Sequence, residues 1–407
     1  LSDTSTTSNT IGTGSKTFTL VTGTSFSVGS VVMAFQTTTP ANYMIGTVTS
    51  YTTATKVLVI SSLYTGGSGT ITAWTINQTL TGVEGNADSV GTKKPIVYGT
   101  VYNVTVPCVN TSKLVFQVSS ELINDVPAVY DKGSSLTKGS DYTSVAEMMA
   151  TAPAAGNYRV VKTASGSFIR LGSSPAGLIT CDAVQGSTVA NRTAAQLIKQ
   201  IAIKGGVLLA DINATDITDL DAANSAVVGL FVNSNASSIE YISQVADSIG
   251  AWFGYDATGQ FRMGRFTVAS GVPDISITAD NIITIESTRP TDTDRGIPSY
   301  KVILAYYKNY TVQSNDIAAG VTQDRRNFLQ RDFAKVTAED STVKNQFSTA
   351  VEINRNTLMI DATAAQTEAT RILNLYKTQR RMYQIQLALD VSCLLYTSPS
   401  PRDATLS

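Results

Sequence analysis

Residues 237–266, SSIEYISQVADSIGAWFGYDATGQFRMGRF, hold one helix and one hairpin, neither of which can bury its apolar face alone. Ser237 and Glu240 have the spacing of a capping box, in which each side chain satisfies an orphan amide of the first turn. Ile239, Ile242, Val245, Ala246 and Ile249 recur at steps of three and four, which makes one apolar helical stripe. Gly250 is the stop. Trp252, Phe253 and Tyr255 follow, then the polar turn Asp256-Ala257-Thr258-Gly259. Phe261, Met263 and Arg265 alternate with Gln260, Arg262 and Gly264, the period of a strand buried on one face. The unit is expected to pack through Ile239, Ile242, Ile249, Trp252, Phe253 and Phe261. Nothing in it demands catalysis.

The whole chain has 407 residues, enough for several domains. Charged residues make up only 15% and hydrophobic ones 43%, with Thr, Ser, Val and Gly abundant. That balance favours a β-rich extracellular or virion protein. The net charge of −1 supplies no drive toward nucleic acid or an anionic membrane. No apolar run approaches the roughly 20 residues of a membrane span. Histidine is absent, which excludes a Ser-His-Asp triad and every His-containing zinc site. Cys108, Cys181 and Cys393 form no C-x-x-C pair and no disulfide framework. The first two lie in apolar strand-like runs and read as small buried residues. No cofactor is implied.

Residues 1–10 read as a polar lead-in. From 11 to 78, short alternating runs (Lys16–Val21, Ser30–Phe35, Gly46–Tyr51, Lys56–Ile60, Ile71–Ile76) are separated by turn signals, which predicts a small antiparallel β-barrel or sandwich. Residues 79–94 read as a linker. A β-rich domain, 95–185, shows strands near Ile96–Val106, Leu114–Val118, Ala128–Tyr130, Tyr158–Val161 and Ser167–Leu171, with a short helix at Ser144–Met149. Residues 186–392 read as α+β. A helix opens at Thr193, and Ala226–Val232 leads into the helix–hairpin unit. Strands are expected at Ile275–Ile285 and Lys301–Tyr310, and Thr322–Lys344 reads as helix or loop. A helix over Asp361–Lys377 then precedes an alternating strand, Tyr383 to Leu389. The fold class is therefore mainly β with α+β.

Several stretches carry a resemblance. TIGTGSKTFTL, SVGSVV, PANYMIGTVTSY and GGSGTITAWTI resemble a small β-module of phage tail-fibre and tail-tip proteins. KPIVYGTVYNVTVPCVN, VYDKGSSLTKGSDYTS and FIRLGSSPAGLITCDAVQG resemble a segment that lies beside the tail hub in phage tail or baseplate proteins. TAAQTEATRILNLYKTQRRMYQIQLALDV, LAYYKNYTVQ and the unit around Trp252 resemble hub domains of phage tail tips. The resemblance implies a virion structural protein of a tail tip or baseplate hub that joins tail and fibre components, with other tail proteins as partners. It further implies a homotrimer, and a location in the virion tail after assembly in the bacterial host cytoplasm. Residues 393–403, CLLYTSPSPRD, resemble a translated sequencing adaptor, so 393–407 are expected to be a disordered artefact on a chain truncated near Val391. The first residue is Leu1 rather than Met, so an upstream start is also expected.

Other chemistry reads more blandly. Gly12-Thr13-Gly14-Ser15-Lys16-Thr17 lacks the spacing of a phosphate loop and leads into a strand. Asp211, Asp216, Asp219 and Asp221 lack the order of a calcium loop and fit caps and turns, so no metal site is assigned. Asp256 and Glu286 are candidates for a glycosidase carboxylate pair, but no motif anchors them. Tyr300, Tyr306, Tyr307 and Tyr310 fall on both faces of one strand, as in core packing. Arg325-Arg326 and Arg380-Arg381 are short and balanced by nearby acids. Two alternatives to the scaffold stay open. One is an adhesin module that binds host-surface glycan through Trp74 and Tyr43. The other, less favoured, is a cell-wall or capsule hydrolase.

Overall fold

A computed structural model of the chain describes residues 2–78, 93–267, 277–288, 298–378 and 382–388. The chain divides into two compact units. One holds residues 1–96, 105–181 and 316–321; the other holds 97–104, 182–315 and 322–407. Mainly β architecture with packed helices agrees with the reading from sequence.

The first unit begins with a curled six-stranded antiparallel sheet. Its strands are β1 (Ser2–Ser5), β3 (Gly14–Thr19), β4 (Val31–Gln36), β5 (Thr39–Thr52), β6 (Val57–Gly66) and β8 (Trp74–Gln78), in the order β1-β8-β4-β5-β6-β3. The short strands β2 (Asn9–Thr10) and β7 (Thr70–Ile71) pair beside it. Alternation places Phe18, Val32, Ala34, Met44, Val48, Leu58, Ile60, Trp74 and Ile76 inside. Phe18 meets Trp74 edge to face at 5.6 Å.

The lead-in read as a polar tail contains β1 and β2. β1 is polar (Ser-Asp-Thr-Ser), yet it pairs with β8 from Ser2↔Asn77 to Ser5↔Trp74. On its other side Ser5 bridges Leu20, and the Val21 N–H donates to the Thr4 carbonyl at 2.9 Å. The two edge strands of the sheet thereby meet. Asp3 is 4% exposed. Its carboxylate accepts from the backbone N–H groups of Thr4 (2.7 Å), Thr22 (3.0 Å), Gly23 (2.9 Å) and Thr24 (2.8 Å). Burial alone raises a carboxyl pKa, but these amides outweigh it and hold Asp3 far below the ordinary range.

After β9 (Ile96–Thr105), the first unit continues with β10 (Cys108–Asn110), β11 (Val115–Ser119), β12 (Asp125–Asp131), β13 (Ser134–Ser135) and β14 (Thr137–Lys138). Then come α1 (Val145–Ala150), β15 (Asn157–Thr163), β16 (Gly166–Leu171) and β17 (Ile179–Val184). A five-stranded sheet, β10-β11-β16-β15-β14, packs Val109, Val115, Val161 and Phe168 against Tyr142 and Met148. Ser144 caps α1 by accepting from the Glu147 N–H.

The second unit holds α2 (Ala194–Lys204), α3 (Ala214–Ala223), β18 (Gly229–Val232), α4 (Ser238–Ile249) and the hairpin β19 (Ala251–Tyr255)–β20 (Phe261–Arg265). Thr193 caps α2, and Asn213 caps α3. In α4, Ile242, Val245, Ala246 and Ile249 are buried as the stripe requires, but Ile239 is 61% exposed and leaves the packing set. Its place in the first turn, before the helix reaches its packing partners, turns it outward. The cap also differs from a reciprocal box: the Ser237 hydroxyl accepts from the Glu240 N–H and donates to the Glu240 carboxylate at 3.0 Å. Gly250 is left-handed (φ 62°) and donates back to Ala246 and Asp247. In the hairpin Trp252 pairs with Gly264 and lies across it, so a Cβ there would come within 2.7 Å of the indole.

The remaining elements are β21 (Ile282–Thr288), β22 (Ser299–Tyr306), α5 (Gln323–Leu329), β23 (Ala334–Glu339), α6 (Ser341–Gln346), β24 (Val351–Asn356), α7 (Ala362–Tyr376) and β25 (Met382–Leu387). β22 is central, antiparallel to β23 and parallel to β24. Helix α7, capped by Asp361, lays Ala369, Ile372 and Leu373 on Val302, Leu304 and Ala338. β22 is shorter than Lys301–Tyr310 because Tyr307 adopts φ 54° and leaves the strand path. The segment read as helix or loop, 322–344, contains the ladder strand β23. β21 and β25 form a two-stranded antiparallel ribbon. Residues 393–407 lie outside the described residues.

Because the Asp3 pKa is depressed, its stabilisation is fully present above the unfolded value near pH 4 and is lost as pH falls through the folded value. Asp3→Asn should therefore cost about 2 kcal/mol near neutral pH. That deficit should shrink steadily on acidification below about pH 4, as read by thermal unfolding across pH.

Candidate functional site

Several side chains singled out by sequence turn inward or find partners. Trp74 is fully buried and its indole N–H donates to the carbonyls of Thr7 (3.1 Å) and Ile71 (3.0 Å), so it offers no face for stacking. Tyr43 is half-buried, with its ring against Gly66. Lys16 donates to the Thr10 carbonyl at 2.8 Å, within a strand and its turn rather than a phosphate loop. Cys181 is buried, and burial pushes the Cys108 thiol up.

Asp216, Asp221 and Asp256 are spent on structure. Asp216 takes Arg262 bidentately, Nε to Oδ2 at 2.6 Å and Nη2 to Oδ1 at 2.9 Å, and also accepts from the Met263 N–H. This pair joins α3 to β20, and its hydrogen bonds raise the Arg262 pKa. Asp221 accepts from the Thr193 hydroxyl at 2.5 Å and from the Gln196 amide at 2.7 Å. Asp211 and Asp219 are exposed. Asp256 organises its own turn: the Thr258 hydroxyl first, then burial opposing it and the Gln260 N–H assisting, leave its carboxyl below the usual range. Glu286 lies exposed on β21. Among the described residues no group of three or more His, Cys, Asp or Glu side chains is placed to hold a metal ion.

The tyrosines divide. The Tyr300 hydroxyl donates to Glu352, while the Tyr310 hydroxyl donates to the Gly229 carbonyl at 3.0 Å and accepts from the Phe231 N–H at 3.2 Å. Burial drives the Tyr310 phenol well above its ordinary pKa. Tyr102 and Tyr307 face each other at 4.6 Å. Near them Asn309 is buried; its amide reaches the carbonyls of Phe328, Leu329 and Arg331 at 3.0–3.2 Å, at the end of α5. Its oxygen accepts from Asn103 at 2.8 Å, and Arg325 donates to Asn103 at 3.0 Å. Arg380 and Arg381 lie outside the described residues.

A cleft of about 600 Å³ lies between the end of α3 and the first turns of α7. At its base Glu368, 1% exposed, bridges two arginines. Arg265 donates to it from β20 and also to the carbonyls of Ile249 (2.8 Å) and Ala223 (2.7 Å). Arg371 donates to Glu368 at 2.7–3.2 Å and to the Phe266 carbonyl at 2.8 Å. Burial lowers the Arg265 pKa while Glu368 raises it. Both guanidinium groups are directed at protein acceptors, so the cluster is a clamp on the hairpin rather than an anion receptor. Sequence reasoning missed it. Its signal was available: Glu368 falls on the apolar stripe of α7 beside Ala365, Ala369 and Ile372, and a carboxylate there requires a partner.

No protein-family model matches the chain. No curated protein matches it either. Among solved structures, a tail protein from Neisseria meningitidis MC58 aligns at 11% identity and TM-score 0.27, over 56% of this chain and 61% of that one. The chain thus spans less than two thirds of that protein. The 43 kDa tail protein of prophage MuSo2 from Shewanella oneidensis aligns at 10% identity and TM-score 0.25, over 93% of this chain and 83% of that one. Alignments this loose carry no argument about fold or role.

Removing one partner of a buried ion pair strands a charge. Glu368→Ala should destabilise the second unit by about 3 kcal/mol or more, with Arg265→Met/Glu368→Leu recovering part of the loss, as measured by urea unfolding.

Proposed function

We propose that this chain is a structural scaffold of a phage tail, in the tip or baseplate hub, where it joins tail and fibre components. One observation carries the reading: three acidic side chains that could have served catalysis or ligation, Asp216, Asp221 and Glu368, are held in internal bonds. Asp216 holds Arg262, Asp221 holds Thr193 and Gln196, and Glu368 holds two arginines. Such chemistry makes rigid surfaces rather than turnover. The resemblance of the β-module and hub-like stretches to tail proteins supports the same reading. Among the described residues no helix is long and apolar enough to cross a membrane. The glycan-binding alternative loses Trp74 as a platform and rests on Tyr43 alone.

A trimeric assembly, implied by the resemblance, has a surface available to it. One face of the β21–β25 ribbon presents Ile285, Tyr383 and Ile385, each at least 39% exposed. A two-stranded ribbon is marginal in water unless something covers it, and we assign that face to contact between copies. Light scattering on the full chain should give a trimer, and Ile285→Asp with Ile385→Asp should reduce it to monomer. A wild-type monomer would count against the hub reading. Turnover of peptidoglycan or capsular polysaccharide by the purified chain would replace it with the hydrolase.

A further inference from the structure

β1 differs from its neighbours in what it places inside. Its two inward residues are Asp3 and Ser5, 4% and 1% exposed, and none of the twelve buried side chains of the barrel core belongs to it. Every attachment is polar or through the main chain. There is the ladder to β8, the Val21 N–H on Thr4, and the Ser5 hydroxyl on the Thr19 carbonyl at 2.8 Å. The Asp3 carboxylate adds the amides of Thr22, Gly23 and Thr24. Opening β1 would remove no side chain from the apolar core. Trp74 would keep both of its acceptors, the carbonyls of Thr7 and Ile71, because Thr7 lies beyond β1. What opening exposes is specific: one edge of β8, the Leu20–Val21 main chain, and three backbone amides converging on the position of a carboxylate.

Main-chain pairing supplies affinity for an added strand, and pockets for alternate side chains supply selectivity. Amides aimed at an ionised carboxylate make the stronger class of hydrogen bond. We propose that the slot between β8 and residues 20–24 is a strand-binding site for an extended segment of the form Asp-x-Ser, filled here by residues 2–5 and open to the same segment offered in trans. The aspartate docks in the amide triplet and the serine hydroxyl reaches the Thr19 carbonyl. A larger side chain at the serine position would press on the core beneath. The slot is thus a joint by which one tail component can be stitched to another.

Two measurements test this. Hydrogen exchange on the intact chain should show the amides of Val21, Thr22, Gly23 and Thr24 exchanging through an opening that leaves β4, β5 and β6 protected. Asp3→Asn should speed that exchange at least tenfold while β4–β6 remain far better protected than these four amides. Separately, a labelled peptide of residues 1–8 should bind a chain that starts at Thr6 and not the intact chain. Its Asp3→Asn counterpart should bind at least tenfold more weakly. Exchange of these amides only together with β4–β6, or equal binding of the two peptides, would overturn the proposal. So would failure of the shortened chain to fold, since the core would then need β1.

Discussion

A carboxylate that cannot reach water must be met by cations or by hydrogen-bond donors, and Glu368 imposes that condition on the second unit. It projects from the middle of α7 into a space where, among the described residues, Arg265 and Arg371 answer it. Arg265 arrives from the hairpin and carries with it the ends of α3 and α4, whose carbonyls its remaining N–H groups satisfy. Arg371 reaches over Gly250, where any Cβ would come within 2.3 Å of its guanidinium. A left-handed glycine, two arginines and a buried glutamate are therefore one device. It sets where the helix–hairpin unit sits against α7, and the apolar stripes fill in around it.

The barrel of the first unit solves a related problem differently. Its buried charge, Asp3, is met by backbone amides rather than by arginine. Main-chain donors in a turn are fixed in place and lose little freedom on pairing, so a short strand can be held without apolar anchors. Bringing both edges of the sheet to one strand also hides ladder groups that a Thr- and Val-rich sheet would otherwise leave sticky.

Both devices hold shape. Low charge density and β-branched strands favour rigid packing. Ionic groups are placed where they lock elements together: Asp216 with Arg262 between α3 and β20, Asp221 across α2 and α3, Glu368 beneath the cleft. The β21–β25 ribbon is one of the places where apolar side chains stay outward.

Local periodicity alone determined much of this architecture. The three-and-four spacing of Ile242, Val245, Ala246 and Ile249, the caps at Thr193 and Asp361, and the alternation from Lys16 to Ile76 each name the face of an element that must leave water. Those elements stand where their patterns put them. Periodicity had no hold on β1, whose inward residues are Asp and Ser; β23 does alternate, in Ala-Lys-Val-Thr-Ala-Glu, but over only six residues and with small alanines as two of its three inward side chains. It also could not show that Trp74 points into a core or that Ile239 points out. The clamp at Glu368 is the clearest case, because its partner Arg265 lies 103 residues away in sequence. Hydrophobic pattern records which face is buried, a property of neighbours along the chain. Which charge meets which, and which polar strand fills which gap, is decided only when distant segments come to share one place.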